Sequence, residues 1–389
     1  MQGNEGLPLD GLRVLEVGTY VAAPALGMML ALLGAEVIKV EPPGGDITRT
    51  LTPWSWVNYN FLKKSIVIDL KKKEGVDVYK RLAERSDVIV EALSPGTASR
   101  LGIGFEELRR VNSRLIYCSL KGFSSKSIYS NRPAFDTIAQ AEGGLMHVTM
   151  SEYSKRPSRV GNPSVDLTAA TFALANILAQ VIKGQSAKSA VYVEVPLYDV
   201  VVFWNSYWFP YIDKNGEPEF LGSMHPGYSP YSVFSCSDGY VFIGVISDGQ
   251  WKSLTSRLAL KAEGLDKMKD RIAQRNRVNR LLQRRLKNIT KAELVSLIGD
   301  EVPCAEVRSL AEVMKRSELL SLPGSARIVN HDGARVHIFL PPLVRNGMTK
   351  IADDRLVPPR LGEHTENLLK ELGYDLKEVE KMKASGAIG

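Results

Sequence analysis

The chain has 389 residues, 44% of them hydrophobic and 24% charged, the balance of a globular protein long enough for two domains. Its 50 basic and 43 acidic residues leave a net charge of +7 that is dispersed along the chain and suits an anionic ligand. No window is expected to reach the roughly 20 apolar residues of a membrane span. Met1–Gly6 lacks the charged-then-apolar pattern of a secretory signal. Cys118, Cys236 and Cys304 stand far apart in apolar contexts and read as buried thiols of a reducing, cytoplasmic compartment, spaced for neither a metal nor a disulfide.

In chain order, Leu12–Val17 is an apolar run that ends at Gly18. A helical pattern opens at Pro24 and stops at Gly34, and Glu36–Glu41 is a second strand. This βαβ unit implies a parallel sheet, and the turn at Tyr20–Ala23 stands at a strand's carboxyl end, where open sheets bind ligands. Strands follow at Ser65–Leu70, Asp87–Glu91 and Leu115–Leu120, separated by helices at Glu74–Arg85 and Phe105–Val111. The alternation predicts an α/β fold with a doubly wound, Rossmann-like large domain. A short helix is expected over Phe135–Gly143, a long one from Leu167 to Ile182 with Asp166 at its start, and a surface turn at Lys183–Gln185. The strand Val191–Val195 and an aromatic helix from Leu197 to Phe209 follow.

The Gly- and Pro-rich stretch Asp213–Pro230 reads as a linker, which ends a large domain over residues 1–212. A hairpin about Ser237–Gly239, helices near 248–259, 275–287 and 291–299, and a strand at Ala305–Arg308 give a smaller α+β domain over 231–325. Residues 326–389 read as a second linker and two amphipathic helices returning to the large domain. The basic stretch Arg271–Lys287 has helical spacing without aromatic interleaving, a solvated helix face rather than a nucleic-acid surface.

Several chemistries find no motif. The five histidines form no H-x-x-x-H pair, and His331 and His337 flank a Gly turn as hairpin residues do. G-x-S-x-G, G-x-G-x-x-G and P-loop patterns are absent. What remains are carboxylates at loop–helix junctions, Asp166 foremost. An Asp at a helix start caps free N–H groups, and a carboxylate held ionised there can also attack an activated acyl group.

The run from Gly11-Leu12-Arg13-Val14-Leu15-Glu16 to Val40-Glu41-Pro42 resembles the N-terminus of the family III CoA-transferases. So do Lys63–Lys71, Asp87–Glu91 with Pro95-Gly96, Asn112–Ser119, Gly122-Phe123, Arg132–Asp136 and Leu361–Thr365, which together span nearly the whole chain. The resemblance implies that Asp166 attacks an acyl-CoA thioester to form a mixed anhydride, then an aspartyl-CoA thioester, and that an acceptor carboxylate reverses the sequence. Coenzyme A enters as substrate, with no tightly bound cofactor and no metal.

By the same resemblance, Ala22 and Ala23 lie along the CoA, although many members carry Gln where this chain has Ala22. Ile68, Asp69, Leu70 and Lys71 match the adenine end, Ala92, Leu93 and Ser94 the pantetheine loop, and Arg100 and Arg132 phosphate partners. The α-methylacyl-CoA racemases share the fold but use a His where this chain has Phe135, ahead of Asp136. A phenyl ring moves no proton, so the substitution favours transfer over racemisation. Some transferases close the site with a Gly-rich loop, whereas Ser247–Trp251 holds one glycine, which leaves the lid to Gly222–Gly227 or implies a different acceptor. Members are interlocked, ring-like homodimers, so the linkers near 210–230 and 325–345 are expected to cross the partner. No membrane or nucleic-acid partner is implied.

Overall fold

The computed structural model describes residues 7–150, 156–184, 189–217, 222–316, 327–331, 333–343 and 353–389. The expected turn at Gln185, residues 218–221 of the first linker and much of the second lie outside these. The chain divides into two units, residues 1–143, 161–204 and 317–389 in the first, and 144–160 and 205–316 in the second. The first boundary therefore falls at 204 instead of 212, and the segment 144–160 goes with the second unit instead of the first.

The first unit is built on β1 (Arg13–Val17), α1 (Ala22–Leu32), β2 (Glu36–Glu41), α2 (Thr48–Leu51), α3 (Pro53–Asn60), β3 (Lys63–Val67) and α4 (Lys73–Glu84). It continues with β4 (Val88–Glu91), α5 (Thr97–Arg100), α6 (Phe105–Val111), β5 (Ile116–Lys121) and α7 (Asp136–Glu142). After α8 (Leu145–Val148) of the second unit come α9 (Ser164–Gly184), β6 (Val191–Pro196) and α10 (Leu197–Asn205). The six strands are parallel in the order β3-β2-β1-β4-β5-β6. This is a doubly wound sheet whose connections reverse direction between β1 and β4.

Buried apolar runs form these strands: Val14 and Leu15, Val37 and Ile38, and Val88 to Val90 are all at or near zero exposure. One face packs on Val78, Tyr79, Leu82, Ile103 and Leu108, and the C-terminal helices Thr365–Glu371 and Leu376–Ala384 add Leu368, Leu369 and Met382. α1 and α9 contribute small buried residues, Ala23, Ala25, Ala169, Ala170 and Ala173 among them. α9 is long and apolar enough to cross a membrane by length and composition, contrary to expectation. Its buried stripe runs from Val165 to Ile177, and 39% of the apolar window is covered by the fold.

β3 begins two residues before the expected Ser65, because Lys63 belongs inside. Its ammonium donates to Glu16 Oε2 at 2.7 Å, to Pro24 O at 2.9 Å and to Asn60 Oδ1 at 3.1 Å. Lys39 lies opposite Glu16 in the β1–β2 register and donates to Glu16 Oε1 and Gly18 O, each at 2.9 Å. Asp46 Oδ2 completes the set at 2.9 Å from Lys39. Burial opposes the Lys39 charge, but Glu16 and Asp46 outweigh it and raise its pKa, whereas burial and the Lys39 charge bring Lys63 down to about 8.

The second unit holds the antiparallel sheet β7 (Tyr231–Cys236), β8 (Gly239–Gly244) and β9 (Cys304–Val307). The helices α11 (Phe209–Asn215), α12 (Asp248–Arg257), α13 (Met268–Ala273), α14 (Arg275–Leu286), α15 (Lys291–Ile298) and α16 (Leu310–Met314) accompany it. The basic stretch divides in two. α14 buries Val278, Leu282 and Leu286 beneath an exposed basic face, while Arg271 is wholly buried. Its guanidinium bonds to Ser229 O, Leu265 O, Asp266 O and Asp248, so it is structural and not solvated. Part of the expected second linker is instead an antiparallel hairpin of the first unit, β10 (Arg327–His331) and β11 (Ala334–Ile338).

Gly27 of α1 leaves room for the buried charges: an added Cβ would stand 1.9 Å from Glu16 Oε2 and 3.1 Å from Lys63 Nζ. Gly27→Ala is expected to lower unfolding stability by about 3 kcal/mol, seen as a fall in the urea midpoint with an unchanged m-value.

Candidate active site

The carboxyl ends of β1, β4 and β5 enclose a cavity of about 510 Å³ at the reversal point of the sheet. Its walls are the turn Thr19–Ala22 after β1, the loop Ala92–Pro95 after β4, and Leu120–Gly122 at the end of β5. Pro133–Asp136, Asp166 and Leu197 close it. Tyr20 holds a left-handed backbone, φ 66°, and is half-exposed. Such a conformation in a bulky non-glycine residue costs on the order of 1–3 kcal/mol and persists where the surroundings demand it. Here the turn must join β1 to α1 within four residues.

Asp166 is the third residue of α9, not its first, since the helix begins at Ser164. It is therefore not the cap. That part is taken by Asp136, the first residue of α7, whose Oδ2 accepts from Val165 N at 2.9 Å and Asp166 N at 3.2 Å. Gln140 Nε2 holds the other Asp136 oxygen at 2.6 Å. One carboxylate thus takes two of the N–H groups at the helix end, and the Asp166 side chain is left to the cavity.

The Asp166 side chain is also not held ionised in the ordinary carboxylate range. Burial, with the neighbouring Asp136 charge, pushes its pKa up to about 7. Burial and the Asp166 charge in turn raise the phenol of Tyr59 on α3. Tyr59 lies in a helix, Pro53–Asn60, that no sequence pattern had singled out. A carboxylate of this kind, ionised only near neutrality, is a stronger base and nucleophile than a solvated one. Phe135, 63% exposed and lining the same cavity, offers no second proton-transfer group.

The cavity gathers Ala22, Ala92, Leu93, Ser94, Phe135, Asp136 and Asp166. Ala23 instead lies at zero exposure as the second residue of α1, close against Gly18, so its side chain faces no ligand. Ile68 is core, bridged to Ile388. Asp69 and Leu70 start the turn into α4, where Asp69 Oδ1 accepts from Lys71 N at 3.0 Å, and Lys71 is exposed. These four follow β3 on the same edge of the sheet but outside the cavity.

Arg100, exposed at the end of α5, donates to Thr97 Oγ1 at 2.8 Å. Arg132 pairs with Glu142 at 3.2 Å and lies over the rings of Phe123 and Tyr129. Neither reaches the cavity. Glu91 and Lys121, joined at 2.9 Å beside the cavity, were not among the expected site residues. Opposite charges ending two apolar strands were the available signal.

Residues 9–365 match the family described as CoA-transferase family III. Succinyl-CoA:glutarate CoA-transferase of Mus musculus is 32% identical over 98% of this chain and 90% of its own length. Succinate--glutarate CoA-transferase of Agrobacterium fabrum is 30% identical over 95% and 96%. The crystal structure of a CAIB/BAIF family protein from Brucella suis superimposes with a TM-score of 0.84 at 28% identity, covering 95% of this chain and all of that one.

The raised Asp166 pKa fixes a pH dependence of stability. The folded chain binds its proton up to pH about 7, the unfolded chain only up to the ordinary value of about 3.9, so between these limits stability falls as pH rises. Asp166→Asn is expected to leave the unfolding free energy unchanged at pH 4. At pH 8 it should raise it by up to about 4 kcal/mol, in denaturant titrations at the two pH values.

Proposed function

The chain belongs to CoA-transferase family III, and we propose that it moves coenzyme A from an acyl-CoA thioester to a carboxylic acid with Asp166 as the nucleophile. The observation that carries this reading is the buried Asp166 carboxylate, freed from capping by Asp136, in a mainly apolar cavity at the carboxyl edge of the sheet.

In its ionised form the Asp166 carboxylate adds to the thioester carbonyl. The C–S bond breaks, and thiolate leaves from a mixed anhydride of Asp166 and the acyl group. The thiolate then attacks the aspartyl carbonyl, so that the acyl group departs as a free carboxylate and Asp166 carries CoA as a thioester. An acceptor carboxylate runs the two steps in reverse, and the enzyme returns with its Asp166 carboxylate ionised. One group serves as both nucleophile and leaving group because a carboxylate is competent at both. The apolar walls raise its basicity and keep water from the anhydride.

Asp136 fixes the rotation of the first turn of α9 and thereby the position of Asp166. Ala22, Ala92, Leu93 and Ser94 are proposed to lie along the thioester arm of the substrate, with the Lys71 and Arg100 side of the sheet edge toward its phosphates. Phe135 at the position of a racemase base supports transfer over α-proton exchange. The relatives act on succinate and glutarate as their names state, so short dicarboxylic acids are the first acceptors to try. A homodimer is proposed as the acting form. The apolar side chains Phe172, Ile182 and Phe203, exposed on α9 and α10, support it.

Screening CoA exchange between acyl-CoA donors and mono- and dicarboxylic acids by mass spectrometry tests the reading. Trapping with hydroxylamine or borohydride should mark Asp166, and Asp166→Ala should lower turnover by at least about 10³-fold. Exchange by a protein whose Asp166 is never modified would refute the covalent route. Because only the ionised carboxylate attacks, kcat/KM should rise about tenfold per pH unit below pH 7 and level off above it.

A further inference from the structure

The end of β4 holds a buried carboxylate that the proposed reaction does not use. Glu91 is 1% exposed, on the sheet face opposite the α1 side. Its Oε2 accepts from Ser119 Oγ at 2.9 Å, and both its oxygens accept from Lys121 Nζ at 2.9 Å. The same two side chains reach the loop that follows β4. Leu93 N donates to Glu91 Oε1 at 2.6 Å, and Lys121 Nζ donates to Leu93 O at 3.2 Å. Both polar backbone groups of one loop residue therefore end on one ion pair, while the preceding amide, Ala92 N, donates to Val17 O at 3.0 Å.

The pair also stands between two spaces. Lys121 lines the 510 Å³ cavity with Asp166, and Lys121 and Glu91 together line a second cavity of about 450 Å³ beside Tyr117, Tyr192 and Glu194. The Leu93 side chain packs on the core of the sheet, but the backbone of the loop has a cavity on either side. What fixes the Leu93 peptide itself is its pair of hydrogen bonds, and hydrogen bonds to charged groups are the strong ones. A simple need to join β4 to β5 would not explain why Lys121 turns back to the Leu93 carbonyl.

We propose that Lys121, acting with Glu91, is a positioning residue: the pair clamps the Leu93 peptide, sets the wall Ala92–Pro95 of the active cavity, and so governs how tightly acyl-CoA is held, without touching the reacting atoms. The affinity part rests on the reading of the cavity as an acyl-CoA site; the clamp itself does not.

Amide hydrogen exchange and steady-state kinetics on the full chain test the two parts separately. Lys121→Met should speed exchange in the peptide covering 92–95 by about tenfold or more, while β2 is unaffected. It should also raise KM for acyl-CoA by a larger factor than it lowers kcat. Lys121→Arg, which keeps the charge and a donor, should restore both to within about threefold. If a lone buried Glu91 carboxylate prevents Lys121→Met from folding, Glu91→Gln/Lys121→Met removes both charges, still withholds the donor from Leu93 O, and should show the same faster exchange and higher KM. Unchanged exchange at 92–95 in the folded variant overturns the clamp, and a freed loop with an unchanged KM overturns its role in affinity. A wild-type chain that moves no CoA sinks the reaction reading alone, and amide exchange still decides the clamp.

Discussion

The four charges of Glu16, Lys39, Lys63 and Asp46 lie almost wholly out of water at the centre of the α1 side of the sheet, and the rest of the first unit is arranged around their mutual satisfaction. Removing such ions from water costs several kcal/mol each, and the cost is met only when every partner is present in good geometry. Here the partners come from β1, β2, β3 and the loop before α2, so their presence fixes the register of three parallel strands at once. The same lysines hold Gly18 O and Pro24 O, the beginning of the turn after β1 and the first turn of α1. Those groups flank the turn that forms one wall of the cavity holding Asp166. Gly27 is the counterpart on α1, bare because the Glu16 carboxylate occupies the space a Cβ would need.

The site depends on a second division of labour between like groups. A helix N-terminus has several free N–H groups to satisfy and can employ one carboxylate for them. In this chain the carboxylate comes from another helix, through Asp136, and Gln140 fixes its orientation. Asp166 gains proximity to the helix end without being bonded to it, and burial together with its negative neighbour sets its proton affinity. This accounts for the failure of the simple expectation that a carboxylate at a helix start is held ionised: the helix end is already occupied.

Alternating apolar runs and helical patterns were sufficient to place the strands and helices of the sheet, since each depends on which residues a local element must bury. The hairpin about Ser237–Gly239 and the C-terminal helices were legible for the same reason. Less legible were α2 and α3, which have no strong apolar period, and the start of β3, where a buried lysine looks like a surface residue until its partners are known. Of the site, Ala22, Ala92–Ser94, Phe135, Asp136 and Asp166 could be named from motifs that resemble a known family, and the fold brings them to one cavity. Tyr59, Glu91 and Lys121 could not, because their roles arise from contacts between segments far apart in the chain.

By itself the sequence determined the class of fold and the alternation of strand and helix. These are local facts, carried by periodicity; the singling out of Asp166 and Phe135 came from the family that the motifs resemble. The tertiary structure alone decided the strand order that opens a crevice between β1 and β4, which of two aspartates caps α9, and which buried charges neutralise one another. Electrostatic energy depends on distance and on exclusion of water, and neither exists until the chain has folded.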